Sequence, residues 1–118
     1  MTIAILHVGQ TKTGSTSIQW RLAANRAVLE AQGVIYSRAF GERKAGPALR
    51  RYLQEELSVA QRSVVEDHIE SEMNTDPRLI VISNENILDW NSTDRLTRLA
   101  EFIAGRTETV RVLCYLRL

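Results

Sequence analysis

The segment Gly9-Gln10-Thr11-Lys12-Thr13-Gly14-Ser15-Thr16-Ser17 constrains this chain more than any other. Before it runs Ile3-Ala4-Ile5-Leu6-His7-Val8, continuous and apolar enough for a strand buried on both faces. After it, from Ser15, comes an amphipathic stretch with Ile18, Leu22 and Leu29 near helical period. Strand, small-residue loop and helix together present backbone N–H groups and a helix N-terminus to an anion. The glycines remove the Cβ atoms that would keep the backbone away. Lys12 adds a charge, and the hydroxyls add hydrogen bonds. A phosphate or sulfate group is the expected guest.

Gly9 and Gly14 have the separation found in the nucleotide-binding pattern G-x-x-x-x-G-K-[ST], but Ser15 stands where that lysine belongs. The lysine has moved inside the loop, to position 12. In this form the segment resembles the 5′-phosphosulfate-binding loop of sulfotransferases, P-K-T-G-[ST]-T-[ST]. Lys12-Thr13-Gly14-Ser15-Thr16-Ser17 fits that pattern, and Thr11 replaces its proline. His7-Val8-Gly9 before the loop, Ile18-Gln19 after it and the later run Gln32-Gly33-Val34-Ile35-Tyr36 are similar to bacterial members of the family. Read without the resemblance, the segment is a strand-to-helix turn built from small residues.

At 118 residues the chain is one domain at most. A net charge of +1, from 15 basic and 14 acidic residues, gives no global field for nucleic acid or an anionic membrane. Among the basic residues only Lys12 and Lys44 are lysines. The single cysteine, Cys114, excludes an internal disulfide and reads as a small buried hydrophobe. Without a run of 18 apolar residues or a signal peptide, no stable membrane insertion is expected, and a cytoplasmic location is the default.

Further elements follow from periodicity and punctuation. One helix is expected from Ser15 to Gln32, stopped by Gly33, before the short strand Val34-Ile35-Tyr36. Residues 37–46 read as a loop. Pro47 suits a helix start, with Leu49, Leu53 and Leu57 on its apolar side through about Glu56. Ser58 and Gln61 form a capping-box pattern for a helix from Val59 to Met73, with Val64, Val65, Ile69 and Met73 inward. Asp76-Pro77 breaks it. Leu79 to Ser83 is the third strand, and Asn84 to Trp90 a loop. A helix capped by Asn91 or Ser92, with Leu96, Leu99 and Ile103 buried, ends at Gly105. Residues 110–116 form a last strand, apolar on both faces and expected to be central. The order β-α-β-α-α-β-α-β predicts an α/β fold with a mainly parallel sheet flanked by helices, P-loop-like and three-layered. A central strand so close to Leu118 reads as the N-terminal part of a longer domain, with residues 1–118 a fragment inactive alone and prone to self-association.

Ligands of such sheets sit at the carboxyl ends of strands, which brings the Gly9–Ser17 loop, the Ser83–Asn86 segment and Arg117 to one rim. The resemblance implies 3′-phosphoadenosine 5′-phosphosulfate as donor substrate and no metal. The acceptor is a hydroxyl or amine on a small molecule, carbohydrate or lipid. It gives Lys12 the role of stabilising charge on the departing phosphate. Thr13, Gly14, Ser15, Thr16 and Ser17 cradle the donor. It also implies a general base near the end of the third strand, and Glu85 in Ser83-Asn84-Glu85-Asn86 fits. In the run Tyr115-Leu116-Arg117, Arg117 corresponds to the arginine that contacts the 3′-phosphate. Without the resemblance, Lys12 is a solvated loop lysine, Glu85 a loop or capping carboxylate and Arg117 an arginine near a chain end. His7, beside the loop, reads as a satisfied core histidine, with contact to a ligand as the alternative, and His68 reads as a solvated one. Trp20 and Trp90 read as packing residues, Trp90 also as a lining of an acceptor cleft. The alternative class is a P-loop nucleotide-binding protein or small-molecule kinase using ATP and magnesium. The displaced lysine and the lack of an aspartate at the third strand's end count against it.

Overall fold

A computed structural model describes residues 2–9, 15–41, 47–84 and 93–115. Four strands, β1 (Ile3–Gly9), β2 (Val34–Tyr36), β3 (Leu79–Asn84) and β4 (Thr109–Tyr115), form one sheet in the order β2-β3-β1-β4. Every pairing is parallel. Five helices connect them: α1 (Ser15–Ala24), α2 (Arg26–Ala31), α3 (Pro47–Leu53), α4 (Val59–Met73) and α5 (Thr93–Ala104).

Strand alternation assigns the helices to faces. Ala4, Leu6 and Val8 of β1 join Ile80 and Ile82 of β3 in a core that also holds Leu49, Leu53, Val65, Ile69, Leu99 and Ile103. Helices α3, α4 and α5 therefore cover that face. On the other face Gln19 of α1 bonds Ser83 of β3, and Arg26 of α2 lies over the Tyr36 ring of β2. The result is a three-layer α/β fold. A constant crossover hand requires this split, because the chain moves one way across the sheet from β1 to β2 and the other way thereafter.

The helix boundaries carry local corrections. The stretch expected as one helix over 15–32 is two, broken at Asn25. There the side-chain amide donates to the Arg21 carbonyl at 2.7 Å, competing with the backbone ladder. Gly33 ends α2 with φ +78°, the left-handed conformation expected of a stop glycine. Helix α3 closes at Leu53, short of Glu56. The N–H of Glu55 bonds the Tyr52 carbonyl and that of Glu56 bonds the Arg51 carbonyl, a Schellman ending with Glu55 at φ +59° where glycine is usual. Helix α4 has the expected reciprocal cap, Ser58 Oγ accepting from the Gln61 N–H and Gln61 Oε1 from the Ser58 N–H.

Two side chains expected inside are outside. Val64 is 68% exposed, since it lies about 100° around α4 from Val65, and Val65 with Ile69 sets the buried face. Trp20 is 58% exposed, because Ile18, Gln19, Leu22 and Ala23 turn the opposite side of α1 inward. Strand β4, expected to be central, stands at one end of the described sheet with Val112 and Leu113 about half exposed.

Candidate functional site

The chain leaves β1 toward α1 on one face of the sheet. From the neighbouring β3 it continues to α5 on the other. Adjacent strands whose chains part to opposite faces leave a crevice between their carboxyl ends, where open α/β sheets bind ligands. In this fold that point lies between β1 and β3, where the chain leaves β1 for the Gly9–Ser17 segment.

Both strands carry buried polar residues toward their carboxyl ends. His7 and Ser83 are Cα partners in the parallel register, as are Val8 and Asn84. His7 Nδ1 lies 2.7 Å from Ser83 Oγ, and Gln19 Nε2 donates to the same oxygen at 2.9 Å. Two strands and a helix thus meet at one hydroxyl. His7 is 4% exposed and Gln19 0%, and Ser83 and Asn84 are equally hidden. Burial pushes the His7 imidazole below its ordinary pKa, so it is neutral at pH 7. Gln19 Oε1 is buried with no hydrogen-bond partner among the described residues. His7 is thus buried as the sequence suggests, with Nδ1 bonded to Ser83. His68 is exposed on α4, 3.5 Å from the Glu72 carboxylate.

Lys12, Thr13, Gly14, Glu85 and Arg117 lie outside the described residues, as do Trp90, the expected caps Asn91 and Ser92, and residues 42–46 of the expected loop. Ser15 and Thr16 are the first two residues of α1, and Ser17, the third, is exposed. Sequence reading passed over Gln19 and the hydroxyl of Ser83 as a joint feature. The signal was present in both: a polar residue inside the apolar stripe of α1, and another ending the run Leu79-Ile80-Val81-Ile82.

The described surface has other concavities. One of about 370 Å³ runs beside β2, lined by Glu30, Ile35, Arg38, His68 and Glu72 among others. Its central carboxylate, Glu72, is engaged by the Ser37 hydroxyl at 2.7 Å and the Arg38 N–H at 3.0 Å. Those bonds hold the chain leaving β2 against α4, a structural task. No described helix is long and apolar enough to cross a membrane.

No family model, no curated protein and no solved structure matches this chain.

Proposed function

We propose that this chain is part of a sulfotransferase-like domain that binds 3′-phosphoadenosine 5′-phosphosulfate and transfers its sulfonate to a hydroxyl or amine acceptor. The observation that carries the reading is a coincidence of position. The loop resembling a phosphosulfate cradle joins β1 to α1 at the switch point of a parallel sheet, and α1 begins at Ser15, within the motif.

In this reading the N–H groups of residues 13–17 and the hydroxyls of Thr16 and Ser17 hold the 5′-phosphosulfate. Arg117 takes the 3′-phosphate. Glu85 removes the proton of the acceptor hydroxyl as its oxygen forms a bond to sulfur. The bond from sulfur to the bridging phosphate oxygen breaks, and adenosine 3′,5′-bisphosphate leaves. Lys12 stabilises the charge that grows on that oxygen. The chemistry needs no metal, and the acceptor is a small molecule, carbohydrate or lipid.

Calorimetric titration separates this from the kinase reading. Adenosine 3′,5′-bisphosphate is expected to bind more tightly than ATP with magnesium. Tighter binding of ATP with magnesium would overturn the proposal in favour of a nucleotide-dependent kinase. The end of β3 argues against that outcome, since Ile82-Ser83-Asn84 offers no aspartate for a magnesium ion.

A further inference from the structure

We propose that strand β4 is a dimerisation edge: a second copy of this chain lays its own β4 antiparallel to it, about a two-fold axis through Val112, and joins the two sheets into one. The inference concerns assembly and is independent of the sulfotransferase reading.

The two edges of the described sheet differ in how they are protected. Strand β2 is three residues long. The Ser37 N–H bonds the Val81 carbonyl and the Leu79 N–H bonds the Gly33 carbonyl. The odd-numbered residues of that segment therefore turn to β3, and Tyr36 turns its carbonyl outward. The buried Arg26 of α2 takes that carbonyl, its Nε donating at 3.0 Å. Strand β4 has no such guard among the described residues. Its seven residues include no proline, no lysine and no break in the register with β1, the devices that blunt an exposed edge. At about 3.3 Å per residue it offers a template roughly 23 Å long. Val112 is 49% exposed and Leu113 45%. They point to opposite faces of the sheet, since Val112 pairs in register with the core residue Leu6 and Leu113 with His7.

The pattern of the strand selects its own copy as partner. The Glu108 N–H bonds the Thr2 carbonyl, so the even-numbered residues of β4 turn their backbone groups to β1. Thr109, Arg111 and Leu113 therefore present theirs outward. A second β4 must set its odd-numbered residues against these, which confines the two-fold axis to points on a residue. An axis through Arg111 sets two guanidinium groups directly opposite, which is unfavourable. An axis through Val112 overlaps the full strand, Thr109 to Tyr115. Arg111, the only charge in the strand, then stands across from Leu113 of the copy. Val112 stands across from itself in a non-hydrogen-bonded pair, where side chains of an antiparallel ladder come closest. On that face Val110 and Val112 of both copies extend the apolar layer that Ala4 and Leu6 begin. Seven paired residues a side fall short of the roughly 20 to 30 of a standard interface, so the dimer belongs to the weak, concentration-dependent class.

Sedimentation velocity of the 118-residue chain tests this. Over about 10 μM to 1 mM, the span in which a weak interface associates, a reversible monomer–dimer equilibrium is expected. Val112→Lys and Val112→Glu each set like charges face to face at the axis and should weaken dimerisation by about tenfold or more. Val112 is half exposed, so both variants should melt as the parent does. Mixed in equal amounts, the two variants should dimerise again, because opposite charges then meet at the axis. A change in fold stability alone would not restore association on mixing. A parent chain that stays monomeric throughout the range overturns the inference, as does a dimer that survives in both variants. Variants that separate but do not reassociate on mixing overturn the axis through Val112.

Discussion

His7 and Ser83 face each other across adjacent parallel strands and share a side-chain bond of 2.7 Å, at a point where the chain leaves neighbouring strands for opposite faces of the sheet. The Ser83 hydroxyl is the hub of the contact, since Gln19 also donates to it. Replacing it removes a partner from two buried polar groups at once. Ser83→Ala is expected to cost about 2 to 4 kcal/mol in urea unfolding, well above a typical small-side-chain change, because stranded buried polar groups lose their hydration without compensation. A loss below about 0.5 kcal/mol would mean that the hydroxyl does not tie the three elements together.

The buried histidine also gives the fold a pH dependence of defined sign. Its pKa in the folded chain lies below the value near 6.5 of an unfolded histidine. Between those two values the unfolded state binds more protons than the folded one, so stability rises with pH. The contribution of His7 is complete above about pH 6.5 and is lost as the pH falls below it toward the lowered value. Urea unfolding of the ligand-free chain and of His7→Asn, compared from pH 7.5 down to 5, should show the parent losing more stability than the variant. Equal losses would show that His7 protonates as easily in the fold as outside it.

Helix ends offer two checks that leave the candidate site untouched. Ser58→Ala removes one half of the reciprocal cap of α4 and is expected to cost about 1 kcal/mol. Glu55→Gly acts in the other direction. Glu55 holds φ +59°, which costs an ordinary residue roughly 1 kcal/mol and glycine almost nothing. Part of that gain is offset by the freer unfolded chain, so a net stabilisation of about 0.5 kcal/mol is expected in thermal or urea unfolding. Destabilisation by Glu55→Gly would mean that the Glu55 side chain makes a contact worth more than the strain.

Much of the fold was legible because it rests on continuous apolar runs and strong punctuation. The strands over 3–9, 79–84 and 109–115 come from such runs, and Gly33, Ser58 and Asp76-Pro77 mark boundaries that local chemistry enforces. What was not legible depends on neighbours. Val64 is as apolar as Val65, and only the placement of α4 on the sheet decides which is buried. Asn25 splits a helix whose apolar stripe continues through the break. The edge position of β4 reflects strand order, which composition does not encode. Between β1 and β3, the hydrogen bonds of His7, Ser83 and Gln19 join residues 64 and 76 positions apart. Spacing rules do not reach that far.

The last prediction returns to the loop. Charge on the bridging oxygen of a phosphosulfate is small in the bound donor and grows as the bond to sulfur breaks. A lysine beside that oxygen therefore contributes more to the transition state than to the ground state. In the proposed reading the backbone N–H groups of residues 13–17 would bind the donor with or without Lys12. In a preparation that turns over, Lys12→Ala should lower kcat by about two orders of magnitude, roughly 3 kcal/mol. Affinity for adenosine 3′,5′-bisphosphate should weaken by less than about tenfold, or 1.4 kcal/mol. Lys12→Arg tests the same point with charge retained, and a bulkier planar cation should recover binding more fully than turnover. If Lys12→Ala leaves kcat unchanged and weakens only binding, Lys12 is an anchor for the phosphate and the charge on the leaving oxygen is met by another group.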